Sequence, residues 1–480
     1  MTPREQDGRP AEETGAPHLP ARGPLAWLEE RTGLVGTVAR VAAHRVPRRS
    51  GWAYVFGSAT LFAFVLQVVT GITLALFYEP SSATAYRSLQ AISRPGTMEA
   101  VVRGLHYFGA SLMVVMIGIH LIRVYLMAAY KYPREVQWLS GVVLLVLTLA
   151  MAFTGQVLRW DQNAVWSVVV GAEQASRAPG IGPVLARFLM GGATLNAGTL
   201  THLFSLHALW LPGLMIVLIG LHVALVLRNG ISEPPKPGEP VDRRTYRDRY
   251  RALVQRDGVP FWPDAAWRDA LFGSACILIV AFLAWRIGAP ALSAPPDPSI
   301  VQADPKPDWY LIWYFAVLAL WPYSVTNPLL ILAPLLVFGA MFLLPLVSSR
   351  GERAPSRRPW AVAVVVVGVT LVVSLTVLGE REPWLPKFGA PPLRAASVHG
   401  SDPAARRGAA VFHSASCILC HRIDEQGGLR GPDLSRVGAR LDREQLTWRV
   451  QNGAASMPPY AGVLSAAQLR DVVAFLAARQ

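Results

Sequence analysis

"HYFGASLMVVMIGIH" occupies residues 106–120 and "HALWLPGLMIVLIGLH" occupies residues 207–222. Both stretches are apolar enough to sit in lipid, yet each begins and ends on histidine. An ionisable side chain inside a bilayer is costly unless it has a partner. The two histidines are 14 residues apart in the first stretch and 15 in the second. At about 100° per residue, 14 helical steps return within about 40° of the starting face and 15 within about 60°. Each helix therefore carries two imidazoles on one side, about 21–22 Å apart along its axis.

The 480-residue chain is 16% charged, well below the roughly 25% of soluble domains. Spanning a bilayer takes about 20 apolar residues, and seven runs qualify: roughly 53–78, 101–128, 138–157, 205–227, 267–287, 327–347 and 360–378. A further apolar segment, Trp309 to Leu320, is interrupted by Pro322. It reads as a surface or re-entrant helix packed on protein, because exposed irregular backbone is not tolerated in lipid. The expected fold is an all-α polytopic membrane bundle of about seven spans.

The net charge of +14 is a topology signal and not a nucleic-acid footprint. Lys and Arg crowd the N-terminal arm (Arg40, Arg45, Arg48, Arg49), Lys131 and Arg134, the 228–268 loop and the 348–359 loop. Those segments fall on one side of a seven-span chain, while 79–100, 158–204 and 288–308 are sparse in basic residues. The positive-inside rule puts the N-terminus in the cytoplasm, and an odd span count puts the C-terminus outside. No apolar signal-peptide core precedes residue 25, so the first span is expected to serve as the insertion signal. Residues 25–45 suit an amphipathic helix on the cytoplasmic surface. Cys276, inside the fifth run, reads as a small buried hydrophobe.

On this topology the second and fourth spans are parallel, so His106 faces His207 near the outer surface and His120 faces His222 near the inner one. For a single histidine, an interhelical hydrogen bond is an equal reading. Two matched pairs on parallel helices suit two six-coordinate hemes, each iron held from above and below, in a di-heme four-helix core. Gly57, Gly71, Gly104 and Gly109 are small enough to let a flat porphyrin approach the backbone. His202 has no matched partner and reads as interfacial.

The composition changes after the seventh run. Residues 379–403 are rich in Pro and Gly and read as a semi-extended linker. Residues 404–480 are few for a domain held by core burial alone, which favours a covalent cofactor. "CILCH" (417–421) is the c-type heme attachment signature: the thiols of Cys417 and Cys420 add across heme vinyl groups and His421 sits under the iron. Met457, in a Met-Pro loop, is the natural second axial ligand; His413 reads as a surface residue. The expectation is a small all-α domain resembling class I cytochromes c, on the extracytoplasmic side.

"KPDWYLIWYFAVLALWP" (306–322) places Asp308 at the edge of an aromatic, apolar segment. By itself this carboxylate fits two roles: a solvated loop residue before an interfacial aromatic belt, or a base that takes a proton from quinol.

Residues 45–378 resemble the cytochrome b of bc- and bf-type quinol:cytochrome oxidoreductases. The resemblance rests on the paired histidines, "GQVLRWDQNAVW" (155–166), "SLHALWLP" (205–212), "NGISEPP" (229–235), "FWPD" (261–264), "PDWY" (307–310) and "RRPW" (357–360), in the family order. The 15-residue spacing is similar to the bf branch, whose two polypeptides stand joined here. The resemblance implies that Asp308 replaces the glutamate of a Pro-Glu-Trp-Tyr motif and is catalytic with Tyr310. Residues 160–166 would line the same outer quinol site, where Arg159 stands in place of the usual proline. Arg103 and Arg123 match arginines near heme propionates. Val55 stands where the bf branch attaches an extra heme through cysteine.

The organisation this implies is an N-terminal arm (1–45), a di-heme domain (46–232), a basic cytoplasmic loop (233–266), a three-helix domain with the PDWY motif (267–378), a linker (379–403) and a cytochrome c domain (404–480). The implied function is quinol oxidation at the outer site, with electrons passed across two non-covalent b hemes and to one covalent c heme, and proton translocation across a prokaryotic inner (plasma) membrane. No Rieske-type Cys/His cluster is present in the sequence, so the iron–sulfur acceptor is expected to be a separate subunit. The other implied partners are membrane quinone, a cytochrome c or similar acceptor, and a second copy of the complex. Two alternatives are a di-heme membrane anchor without bifurcation and an electron-entry subunit for a terminal oxidase.

Overall fold

A computed structural model describes residues 23–192, 195–296, 306–321, 323–381, 392–394, 397, 402–428, 431–453, 457, 460–461 and 463–480. Among them, seven helices are long and apolar enough to cross a membrane: Phe56–Ala75, Met98–Leu126, Glu135–Val157, Ala197–Asn229, Phe261–Arg286, Leu329–Val347 and Pro359–Arg381. Each overlaps one expected run, since chain-internal hydrogen bonding is what lets backbone cross lipid. Their outer faces keep apolar side chains exposed, including Leu278, Ile279, Leu336 and Val366. The seventh helix continues to Arg381, into the stretch read as linker. Trp309–Leu320 is a separate helix packed along the seventh span; Pro322 lies outside the described residues.

The first span packs closely on the second and the third on the fourth, while the fifth closes over the first and second. Small residues set these approaches. A Cβ built on Gly104 would stand 3.0 Å from the Ala284 Cα of the fifth span, and one on Gly109 would meet the Gln67 side chain. Gly104 and Gly109 thus serve helix–helix contact and do not face an imidazole. Cys276 is buried in the fifth span, as expected.

The fourth span begins earlier than its hydropathy suggests, at a capping box formed by Asn196 and Thr199. It then widens into a π turn at Leu206–Trp210 before resuming as Leu211–Asn229. A π turn holds one more residue than an α turn, and it opens the interval from His207 to His222. The 15-residue spacing thereby takes the angular register of the 14-residue spacing in the second span.

Among the described residues the structure departs from all-helical at two short strand ladders and one isolated bridge, Val241 to Gly351. Arg45–Pro47 pairs antiparallel with Gly258–Pro260, with Val46 opposite Val259. The N-terminal arm is not one amphipathic helix but two, Pro24–Thr32 and Leu34–Ala42, divided at Gly33 in the left-handed conformation (φ 63°). At the same end of the bundle, buried Arg134 donates to the Gly230 carbonyl (2.8 Å) and to the Tyr246 hydroxyl (2.7 Å). Arg353 pairs with Glu233 at 2.7 Å.

The C-terminal region has its own core, in which Phe412, Ile418, Ile423, Leu446, Val472 and Phe475 are buried. Helices Pro403–Ser414, Arg443–Asn452 and Ala466–Ala477 surround it. It is not purely helical, because Arg422–Ile423 and Gln426–Gly427 form a two-residue ladder. Between them Asp424 and Glu425 both have positive φ (46° and 64°), the backbone that a two-residue hairpin turn requires.

Candidate functional site

The four histidines of the second and fourth spans meet the neighbouring helices in a repeated way. Each imidazole lies against a glycine of the helix its own helix packs on. A Cβ would stand 3.2 Å from the His106 ring at Gly71, 3.0 Å from His120 at Gly57, 2.7 Å from His207 at Gly155 and 3.5 Å from His222 at Gly141. Gly57 and Gly71 belong to the first span, Gly141 and Gly155 to the third.

Three of the four imidazoles are also held by a hydroxyl from the same neighbour. His106 Nδ1 lies 2.9 Å from Thr70 Oγ1, His207 Nδ1 3.1 Å from Thr154 Oγ1, and His222 Nδ1 2.8 Å from Ser140 Oγ. Each hydroxyl already donates its proton to a backbone carbonyl: Thr70 to Leu66, Thr154 to Ala150 and Ser140 to Gln137. What remains on the oxygen is a lone pair, so the ring must donate Nδ1–H to it. That leaves the Nε2 lone pair bare, the state in which imidazole binds a metal ion. His120 has no such hydroxyl partner among the described residues.

The rings of His106 and His207 have centroids 6.3 Å apart and planes 78° apart. This is about the separation of two imidazoles that bind one metal ion from opposite sides at about 2 Å each. His120 and His222 line a common cavity with Arg123, Arg134, Gln137, Gly141 and Ser232. Arg123 stacks on Tyr54 at 3.6 Å, and its Nε and Nη2 are buried without a hydrogen-bond partner among the described residues. Unmatched guanidinium donors beside a histidine pair suit an anionic group such as a porphyrin carboxylate. Among the described residues no cluster of three or more His, Cys, Asp and Glu side chains forms a metal site. Two pairs rather than larger clusters fit an iron whose other ligands come from a macrocycle. Arg103 instead donates to the Pro290 carbonyl at 2.8 Å. His202 lies edge-on to Phe188, away from either pair.

Asp308 precedes the Trp309–Leu320 helix and accepts a hydrogen bond from Tyr310 Oη at 2.8 Å. Burial raises its pKa above the ordinary carboxylate range, opposed by the Tyr310 hydrogen bond and the Arg159 charge. Asn163 Nδ2 donates to the Lys306 carbonyl at 3.1 Å, which joins the 160–166 segment to the one carrying Asp308. Trp309 reaches Ser111 of the second span (3.3 Å).

In the C-terminal region, Cys417, Cys420 and His421 follow one tight turn, with the Cys420 and His421 amides donating to the Cys417 carbonyl. His421 Nδ1 lies 2.9 Å from the Pro432 carbonyl. A carbonyl only accepts, so this ring too has Nδ1–H and a bare Nε2. Burial lowers the His421 pKa, opposed by the hydrogen bond to the Pro432 carbonyl. Gly431 lies under the ring, where a Cβ would come within 2.5 Å. Met457 packs on the same core as Cys417, Leu434 and Tyr460.

Thr70, Ser140, Thr154, Gly141 and Gly155 escaped the sequence reading. A search of the first and third runs for hydroxyls and glycines at the depth of each histidine would have found them.

Three family models match the chain: "Cytochrome b/b6/petB" over residues 41–230, "Cytochrome b(C-terminal)/b6/petD" over 295–388, and "Cytochrome C oxidase, cbb3-type, subunit III" over 403–476. Cytochrome b6 of Heliomicrobium gestii is 38% identical over 212 residues, which cover 44% of this chain and all of that protein. Cytochrome b of Rhodobacter capsulatus is 33% identical over 313 residues, 64% of this chain and 70% of that one. Among solved structures, a chain of a hyperthermophilic respiratory Complex III superposes with a TM-score of 0.63 at 25% identity, over 75% of this chain and 91% of that one.

Proposed function

Because the chain belongs to the cytochrome b family, we propose that it is a fused cytochrome b–cytochrome c subunit of a bc-type quinol:cytochrome oxidoreductase. The observation that carries this reading is the repeated histidine environment: four imidazoles against four glycines, with three Nδ1–H groups given to hydroxyls that can only accept. Residues 46–232 are the di-heme domain, with His106 and His207 holding one b heme and His120 and His222 the other. Residues 404–480 are the cytochrome c domain, in which Cys417 and Cys420 would attach the heme covalently and His421 and Met457 would ligate its iron. When bound, these hemes supply one-electron redox chemistry across the membrane and at its surface.

The residues of the chain itself supply binding and proton transfer. Asp308 accepts a hydroxyl proton from quinol, and the Tyr310 hydroxyl holds the carboxylate in place. Burial raises the basicity of Asp308, so it takes the proton more readily than a solvated carboxylate would. Arg123 holds an anionic edge of the His120–His222 heme. The N-terminus is cytoplasmic and the C-terminal domain extracytoplasmic in a prokaryotic plasma membrane. A separate Rieske iron–sulfur subunit, membrane quinone, a cytochrome c-like acceptor and a second copy of the complex are the partners.

Asp308→Asn keeps side-chain volume and removes the base. Loss of a general base costs about 100- to 10,000-fold, so quinol:cytochrome reductase turnover should fall steeply. All hemes should stay present and reducible by dithionite, and Asp308→Glu should stay active. Parental turnover in Asp308→Asn would overturn the reading of this site.

A further inference from the structure

The four histidine sites follow one pattern, and one of them breaks it. In three, the residue immediately before the glycine under the ring supplies the hydroxyl that accepts from Nδ1: Thr70 before Gly71, Ser140 before Gly141 and Thr154 before Gly155. The fourth glycine, Gly57, follows Phe56. Phe56 and Thr70 are 14 residues apart on the first span, as Ser140 and Thr154 are on the third. About 40° therefore separates the members of each pair around their helix, and Phe56 stands at the register position of a hydroxyl. Its ring lies edge-on to Phe272 of the fifth span, with centroids 5.7 Å apart. Ser58, on the other side of Gly57, donates its hydroxyl proton to Asp269 at 2.8 Å. The His120 ring still lies against Gly57, where a Cβ would stand 3.0 Å from Cε1 and 3.3 Å from Nδ1. Among the described residues no hydroxyl accepts from that Nδ1.

An imidazole that gives Nδ1–H to an acceptor gains negative character, and its Nε2 becomes a stronger donor to a metal ion. A stronger donor favours ferric over ferrous iron, so hydrogen bonding beyond the axial ligand is one of the levers a protein has on a heme potential. The His106–His207 pair has two such acceptors, Thr70 and Thr154, while the His120–His222 pair has only Ser140. Arg123, which lines the cavity shared by His120 and His222, acts in the same direction, because a nearby cation favours the iron that carries one more electron.

We propose that Phe56 is a positioning residue for electron transfer between the two histidine pairs. By occupying the place of a hydroxyl it leaves His120 the weaker donor, and so holds the His120–His222 heme at a higher potential than a fourth hydroxyl would. An electron then passes downhill from the outer pair to the inner one, the outer iron being oxidised and the inner iron reduced by that one electron. The proposal rests on each histidine pair holding a b heme. Its size follows from one neutral hydrogen bond, worth about 0.5–1.5 kcal/mol, which is about a two- to tenfold change in the distribution of the electron between the two sites.

The experiment is a redox titration of both b hemes in membranes carrying the full-length chain, the inner heme being identified as the signal lost in His222→Ala. Phe56→Ser restores the pattern of the other three sites, and Phe56→Ala removes the same ring without adding a hydroxyl. The inner midpoint should be lower in Phe56→Ser than in Phe56→Ala, so that the electron's preference for the inner site falls about two- to tenfold between them. The outer midpoint should be the same in both. Thr70→Val, which deletes the acceptor of His106 at nearly constant volume, should raise the outer midpoint and leave the inner one in place. Equal inner midpoints in Phe56→Ser and Phe56→Ala, with both hemes bound, would overturn the role of Phe56. Should the Phe56 variants fail to hold the inner heme, Thr70→Val decides: an unmoved outer midpoint would overturn the proposal, because removing an acceptor would then have no effect on a heme. Failure of the heme assignment looks different, since His222→Ala would then keep both b-type signals.

Discussion

Replacing Gly155 with alanine separates a heme-holding histidine from one that merely packs. A Cβ at position 155 would stand 2.7 Å from His207 Cε1, about 0.7 Å short of ordinary contact, and 3.2 Å from Nε2. A free imidazole escapes by turning about its side-chain bonds, at little cost to the fold. An imidazole bound at Nε2 and tied through Nδ1 to Thr154 has no such freedom. The strain must then appear in the bond it makes. Overpacking of this kind costs about 1–3 kcal/mol, equivalent to roughly a 5- to 150-fold loss of heme retention. Gly141→Ala is the matched control, because its Cβ would lie 3.5 Å from His222 Cε1, an ordinary contact. The assay is the dithionite-reduced spectrum and redox titration of membranes carrying each variant, normalised to protein by immunoblot. Gly155→Ala should lose, or shift in potential, the b heme of the His106–His207 pair, while Gly141→Ala retains both b hemes. Parental spectra and titrations in both variants would refute the reasoning, because His207 would then be free to move.

Two further outcomes are expected. Ser140→Ala removes the acceptor for His222 Nδ1–H; loss of such a support typically costs about 10- to 100-fold in metal affinity, so the His120–His222 heme should be lost more readily on detergent dialysis. On the proposed ligation, Met457→Ala should leave the c heme attached through Cys417 and Cys420 while lowering its potential, measured by redox titration, because the substitution removes a thioether ligand.

The seven spans were legible because membrane insertion is a nearly local constraint. Length and hydropathy of each run decide it, and the helices at 56–75, 98–126 and 359–381 follow runs visible in the chain. Histidine spacing was legible for a similar reason, since helical periodicity places residues 106 and 120 on one face whatever lies opposite. The CILCH signature and the PDWY segment are contiguous and needed no fold to be seen. Sequence periodicity went astray where an element depends on distant chain. Helical patterning did not reveal the Arg45–Pro47 strand, because its partner lies more than 200 residues away. Nor did it reveal the π turn after Ser205, which corrects a 15-residue spacing that an ideal helix leaves out of register.

The rotation of each helix about its axis, and hence which glycine and which hydroxyl meets each imidazole, came only from tertiary structure. Gly57 and Gly104 are equivalent as letters, yet one lies against His120 and the other against Ala284 of the fifth span. Thr70, Thr154 and Ser140 resemble any hydroxyl in an apolar run until they appear bonded to Nδ1 of a histidine on a neighbouring helix. A spacing within one helix states which side chains share a face. The proton on each ring, and therefore its capacity to hold a metal, is set by what stands across the gap, and that neighbour is fixed by packing between helices.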